Sequence, residues 1–221
     1  MGSITRSFAN NIGSSGILTA SAVTNATVED VTSFDNAASS ATLVLLSTQT
    51  ASSSATISFT TGLDSTYDKY IFKFINIHPA TADANFRFQV STDGGSNYAT
   101  TLTSTSFRAR HNEAGTSTAL EYRTNADQAQ TDSFQIIAEN LATSNDDNGG
   151  GEMQLFNPSS TTYVKHFISR FTSYQNSEGG NQDQFTAGYF NTTSAVNAVR
   201  FAMSSGNIDD GIIKLYGVKK S

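Results

Sequence analysis

Two apolar runs with a period of two residues, separated by a short break that contains a proline, constrain the fold of this chain most strongly. The side chains on the apolar face of these runs are Tyr70, Phe72 and Phe74 in the first and Phe86, Phe88 and Val90 in the second. A helix would distribute these rings around its circumference, whereas a strand places them on one face. We therefore predict two antiparallel strands joined through residues 78–85, which would bring the two rows of rings together in a buried core. Pro79 cannot donate to a β-ladder, so it belongs to the connection.

The remainder of the chain from residue 41 onward repeats this pattern of short strand-like runs between Gly, Asn and Ser residues. Such runs occupy 42–49, 54–60, 100–110, 118–123, 133–141, 152–156, 161–171, 184–190, 198–203 and 212–218. The spacing in 133–141 also fits a helix, but the β-rich context favours a strand. Asp-Gly-Gly at 93–95 predicts a tight hairpin turn, and 174–184 a loop. We predict an all-β fold for 41–221, an antiparallel two-sheet sandwich of the jelly-roll type.

Residues 1–40 differ in composition from the rest of the chain. They are rich in Ser, Thr, Asn, Ala and Gly, with widely spaced apolar residues that include Ile4, Phe8, Ile12, Ile17, Leu18 and Val23. A segment this polar cannot bury enough apolar surface to fold alone. The regular spacing of its apolar residues predicts an extended arm that packs on a neighbouring subunit or on a larger assembly. The alternative is a floppy terminus with incidental hydrophobic residues.

The charge and cysteine content exclude several classes of function. The chain has 13 Lys and Arg against 19 Asp and Glu, no cysteine, and charged residues make up 14% of it. Without clustered basic residues we expect no nucleic-acid partner, and without cysteine there is no disulfide, thiolate nucleophile or zinc ribbon. No apolar run approaches the roughly 20 residues of a membrane span, and the N-terminus does not resemble a signal peptide. A surface of Ser, Thr, Asn and Gln is typical of extracellular and virion β proteins.

Motifs that would indicate catalysis or metal binding do not occur in the sequence. The three histidines, His78, His111 and His166, do not have metal-ligand spacing. Residues 146–149 resemble a calcium loop in composition only. There is no nucleophile elbow, phosphate loop or dinucleotide fingerprint. We predict no catalytic, cofactor-binding or metal-binding residues, although a glycosidase carboxylate pair assembled from distant residues stays open. Tyr98 and Tyr174 are candidates for sugar contact, and the lack of Trp weakens that hypothesis.

Four stretches resemble a β domain found in virion proteins of tailed phages, notably marine and cyanobacterial ones. They are residues 8–27 (FANNIGSSGILTASAVTNAT), 72–98 (FKFINIHPATADANFRFQVSTDGGSNY), 151–167 (GEMQLFNPSSTTYVKHF) and 193–218 (TSAVNAVRFAMSSGNIDDGIIKLYGV). Together they cover 90 of the 221 residues and are distributed from residue 8 to residue 218. Proteins of this kind are often labelled tail-fibre or structural proteins. The resemblance implies a virion component and no catalytic residues.

These observations together predict a non-enzymatic, fibre- or tail-associated virion protein that is docked by its N-terminal arm and exposed on the particle surface. Its expected partners are other virion proteins and copies of itself, in a trimer, with a host surface glycan as a further candidate. A capsid decoration protein and a carbohydrate-binding module that recognises host polysaccharide are the alternatives. A glycan hydrolase is a third hypothesis.

Overall fold

The computed structural model describes residues 42–219, which form an antiparallel all-β structure without a helix. The predicted arm, with Ile4, Phe8, Ile12, Ile17, Leu18 and Val23, lies outside the described residues. The strands are β1 (Leu43–Ser54), β2 (Ile57–Phe59), β3 (Lys69–Pro79), β4 (Ala84–Ser91), β5 (Leu102–Asn112), β6 (Thr118–Tyr122), β7 (Gln128–Thr131), β8 (Gln135–Leu141), β9 (Gly149–Phe156), β10 (Lys165–Gln175), β11 (Gly180–Phe190), β12 (Ala198–Met203) and β13 (Ile208–Val218). Within 42–219, therefore, no helix is long and apolar enough to cross a bilayer.

The strands fall into two groups by their hydrogen-bond partners. The larger group runs in the order β1-β13-β3-β9-β10-β11-β5, and both β6 and β7 pair with the far edge of β5. The smaller group runs β8-β4-β12-β2, and a single residue pair, Gln175–Leu141, joins it to β10. At the opposite end β1 and β2 lie beside each other. The strand order therefore curves back until its ends approach, with one shared interior.

The two predicted rows of rings meet in this interior, but not in the predicted way. Tyr70, Phe72, Phe74, Phe86, Phe88 and Val90 are all at most 3% exposed, which confirms their burial. The hairpin prediction is wrong, because β3 pairs with β13 and β9 whereas β4 pairs with β12 and β8. Residues 80–83 instead carry the chain from the larger group to the smaller one, and Pro79, predicted to lie in the connection, is the last residue of β3. The rings of Phe74 and Phe86 consequently pack across the core, edge to face, with centroids 5.3 Å apart.

Phe201 of β12 lies at the centre of the aromatic core. Its ring has no exposed surface, and rings from both strand groups surround it at centroid distances of 5.2–6.2 Å. These neighbours are Phe59, Phe72, Phe74, Phe86 and Phe88. Most of the pairs are tilted or edge-to-face, the arrangement that the ring quadrupole favours. The core thus connects two strand groups that share almost no backbone hydrogen bonds.

The interior becomes polar where β5 and β11 face β8. The Glu139 side chain is completely buried, and its carboxylate accepts hydrogen bonds from Arg123 Nε at 2.8 Å, Arg123 Nη2 at 3.1 Å and Asn125 Nδ2 at 2.7 Å. Arg108 Nη1 lies 3.9 Å away, and Arg108 Nε donates to Glu121 at 2.9 Å. A buried carboxylate is tolerated only when it is paired and hydrogen-bonded in this way. This network links β8 to β5 and to the connection that follows β6.

Two further local predictions are settled by the strand boundaries. Within the stretch 133–141, residues 135–141 form a strand, β8, as the β-rich context favoured. The loop predicted for 174–184 is wrong, because β10 continues to Gln175 and β11 begins at Gly180. Gly179 lies between them at φ +62° and closes a tight turn, to which the polar residues between the two strands belong.

The Asp-Gly-Gly turn forms as predicted at Gly94 and Gly95, with φ of +74° and +92°. It joins β4 to β5, which do not pair, so the hairpin prediction for it is wrong. The Asp93 carboxylate closes the turn by accepting bonds from Ser91 Oγ at 2.6 Å and the Asn97 amide at 2.9 Å. These bonds, that from Ser91 foremost, lower the pKa of Asp93 to about 2.

Candidate functional site

The outward face of the larger strand group carries three adjoining depressions, which we call the outer groove. They have volumes of about 550, 530 and 160 Å³ and follow β9, β10, β11 and β5. The two smaller ones share Ile168 and Ala187, and the largest begins at Arg170. Strict alternation along β10 produces this face, because Phe167 and Phe171 are buried while Ile168 and Arg170 point outward.

The groove is recessed because small residues form part of its floor. Gly150 of β9 and Ala187 of β11 point outward and offer at most a methyl group. The inward-facing glycine beside them has a separate role, since a Cβ on Gly151 would overlap the backbone oxygen of Arg170. The glycine run at 149–151 is therefore part of a strand that lies very close to β10, and the polar residues before it form the turn.

A stacked aromatic pair forms the middle of the groove. The rings of Phe107 and Phe185, opposite each other on β5 and β11, lie parallel with centroids 4.9 Å apart. Phe107 is 45% exposed, so part of its side chain is accessible to a ligand. The Arg170 guanidinium lies 5.0 Å from the centre of the Phe185 ring on the other side. At the far end, His166 and Tyr189 form a second, tilted ring pair. The groove thus combines flat apolar surface with hydrogen-bonding groups.

The charged side chains of the groove are paired with one another. Arg170 Nε donates to both Asp183 oxygens at 3.1 Å, and Nη2 donates to Oδ2 at 2.7 Å. This carboxylate raises the pKa of Arg170. Glu152 lies 3.8 Å from Lys73 Nζ on the neighbouring strand. Because each charge has an opposite neighbour, the groove offers donors and acceptors without a large local charge.

The two predicted sugar-contact residues lie in different surroundings. Tyr174 points outward on β10 opposite Asn181, at the end of the groove beyond Thr172. Burial and the negative charges of Glu113, Asp147 and Asp146 raise the pKa of Tyr174.

Tyr98 lies in the connection between β4 and β5. The Arg200 guanidinium covers its ring at 3.8 Å from the centroid, and its hydroxyl is buried without a hydrogen-bond partner. The ring face under Arg200 is therefore occupied by the protein itself. Sugar contact by Tyr98 and Tyr174 stays a prediction.

The three histidines occupy separate strands, β3, β5 and β10. Only His166 lines the outer groove. His78 Nδ1 lies 3.6 Å from an Asp209 oxygen at the edge of a separate polar depression of about 320 Å³. Over residues 42–219, no three His, Asp or Glu side chains come together in an arrangement that could hold a metal ion. In the loop that resembles a calcium loop in composition only, Asp147 accepts a bond from the Ser144 amide and so closes its own turn.

Sequence reasoning missed the groove because its residues come from strands that are distant in the chain. Phe107, Glu152, Arg170 and Phe185 each look like an ordinary outward residue of a half-buried strand. Only the pairing of β9, β10, β11 and β5 places them side by side. An outward Arg opposite an outward Phe is a weak signal without that register. Comparison of the chain with protein-family models, with curated proteins and with solved structures yields no match.

Proposed function

We propose that this protein is a non-enzymatic virion structural protein of a tailed phage, a fibre- or tail-associated component exposed on the particle surface. The body is a two-sheet sandwich of the jelly-roll type, a fold common in particle proteins. Support for this finer fold comes from the repeated crossings between the strand groups, among them β3–β4, β8–β9 and β12–β13. The likeness of four stretches of the sequence to phage virion proteins supports the particle assignment.

The observation that carries the proposal is exposed apolar surface at the two margins of the larger strand group. Among the described strands, β1 pairs only with β13 and β6 only with β5, so each has a free edge in the sense of one side without a ladder partner, although β1 also contacts β2. These strands expose Leu43 and Leu45 on β1 by 40% and 51%, and Leu120 and Tyr122 on β6 by 77% and 54%. A free edge with outward apolar residues and no Lys or Pro is a template for another chain. Such edges support a homo-oligomer, which we propose is a trimer.

In this proposal residues 1–40 dock the protein on its partners in the particle through Ile4, Phe8, Ile12, Ile17, Leu18 and Val23. The test is deletion of residues 1–35 in the phage that encodes the chain. The shortened protein is expected to fold with the circular dichroism of the full chain and to be missing from purified particles by mass spectrometry. Incorporation of the shortened protein at the level of the full chain would refute the docking role.

The edge surface is tested separately, in solution. Light scattering on the full chain is expected to report a trimer, and Leu120→Lys should shift it toward monomer. Tyr163→Lys is the matched control, because Tyr163 is 71% exposed but lies in the connection between β9 and β10, away from both edges. A monomer at every concentration of the full chain would contradict the oligomer proposal.

Capsid decoration is the second candidate within the same class, and the same free edges favour it. Immunogold labelling of whole particles separates the two, because label on the tail supports the fibre-type role and label over the head supports decoration.

A further inference from the structure

We propose that the outer groove binds an uncharged saccharide chain. This goes beyond the proposed role as a structural component of a virion. That role depends on the free edges and on residues 1–40, and it does not require the groove. It also differs from the loop-borne sugar contact predicted from the sequence, because the site lies on the face of the β-sheet, on β9, β10, β11 and β5.

The shape of the groove fits an extended ligand. Its depressions adjoin one another along β10 from His166 to Thr172, with Tyr174 one step beyond. A strand advances about 3.4 Å per residue, so the distance from His166 to Tyr174 is about 27 Å. That length accommodates several sugar units in a row, whereas a compact small molecule would fill only one depression.

The aromatic residues match the apolar faces of sugar rings. Phe107 is partly exposed in the depression that Ala187 also lines, and stacking against Phe185 fixes its orientation. A ring that is held rigid in this way loses little side-chain freedom when a ligand packs on it. Carbohydrate rings have faces of C–H groups that pack on aromatic rings, and His166 with Tyr189 repeats the motif at the far end.

The polar groups match hydroxyls better than ionic ligands. Arg170 and Asp183 neutralise each other, as do Lys73 and Glu152. A phosphate or acidic sugar would approach carboxylates that lie beside the cations, which is unfavourable. A hydroxyl both donates and accepts, so a sugar can bond to the guanidinium and to the carboxylate of one pair at the same time. The compensated charges therefore favour an uncharged, hydroxyl-rich ligand.

The test is binding of the full chain to an array of neutral and anionic bacterial polysaccharides and their oligosaccharides, followed by calorimetry on the best neutral oligosaccharide. Phe107→Ala removes the exposed ring and Arg170→Ala removes the donor, and each is expected to weaken binding about tenfold. Phe107→Tyr should retain binding. The control is Lys214→Ala. Lys214 lies on β13, on the same outward face of the larger strand group but outside the groove, so this change should leave binding unchanged. Thermal unfolding of every variant checks that the fold is intact.

Several outcomes would overturn the proposal. The proposal is wrong if the protein binds no neutral glycan or binds only anionic ones. It is also wrong if the folded Phe107→Ala and Arg170→Ala variants bind the neutral oligosaccharide as tightly as wild type does. If these two variants instead change the oligomeric state in light scattering, the groove is an interface between copies of the chain and not a glycan site. None of these results depends on whether the protein enters a particle, so failure here is distinguishable from failure of the proposed function.

Discussion

At the scale of single residues, Asp93 links local turn geometry to pH. Its pKa falls from 3.8 to about 2 in the folded chain. Because the folded value is the lower one, the carboxylate contributes stability that is fully present above about pH 4 and is lost as pH falls through about 2. We expect Asp93→Asn to have a lower melting temperature than wild type near neutral pH. The difference should narrow below pH 4 and vanish near pH 2, and a gap that stays constant with pH would contradict this account.

Glu139 is the residue whose removal should reveal the buried ionic network. Glu139→Gln leaves Arg108 and Arg123 facing each other without the central negative charge, and breaking a buried pair in this way costs about 3 kcal/mol. Urea unfolding measures the loss. Asp183→Asn is the matched control, because it breaks a pair whose Arg170 side chain is 65% exposed, and such pairs contribute less than about 1 kcal/mol. Equal losses in the two variants would show that burial of the Glu139 network adds nothing.

Single positions also mark the limit of what sequence patterns predict. Alternation correctly placed Phe74 and Phe86 in the core, because a strand with one buried face needs its large rings there. The same rule does not anticipate Glu139, which occupies an inward position of β8. A charged residue at such a position is tolerated only if partners arrive from elsewhere, and Arg108 and Arg123 come from other elements. The pattern within one strand carries no information about them.

At the scale of elements, strand positions were predictable and strand partners were not. Residues 72–74 and 86–88 satisfy the requirements of a hairpin as well as those of two strands in facing layers. The choice between these two arrangements is made by β13 and β12, which follow more than a hundred residues later in the chain. β13 pairs with β3 and β12 pairs with β4, so β3 and β4 do not pair with each other. Local turn chemistry at 80–83 and 93–95 is compatible with either outcome. The outer groove depends on long-range strand pairings of the same kind, so the sequence alone could not predict it either.

The glycine run of β9 gives a prediction for this element. A Cβ on Gly151 would overlap the backbone oxygen of Arg170, so Gly151→Ala must push β9 away from β10. We expect a loss of about 3 kcal/mol in the free energy of unfolding, measured in urea. Gly150→Ala is the control from the same run, since its Cβ would point outward with its nearest neighbour, Phe74 O, at 3.3 Å. That change should remain within about 1 kcal/mol of wild type. A mild effect at Gly151 would mean that the strands separate easily.

At the scale of the whole molecule, the two strand groups depend on each other through side chains. Only the Gln175–Leu141 pair links their ladders. The aromatic core therefore does most of the joining, and Phe201 contacts rings on β2, β3 and β4. Neither group alone could bury its apolar face, so both should unfold in one cooperative transition. The outward residues do not contribute to this packing between the two groups. The free edges and the groove therefore remain available to partner chains and ligands.

Phe201→Ala tests that dependence. Removing a fully buried ring that bridges both groups should lower the free energy of unfolding by about 4 kcal/mol. Phe185→Ala, which removes the partly exposed stacked ring of the outer groove, should cost only about 1 kcal/mol. The chain has no Trp whose fluorescence could report unfolding. Hydrogen exchange followed by mass spectrometry is the suitable measurement, because it follows the two strand groups separately. Protection should fall together in peptides from β9 and β10 and in peptides from β4 and β12. If protection is lost in β4 and β12 while β9 and β10 keep theirs, the larger group is stable alone, and the shared aromatic core does not make the two groups a single cooperative unit.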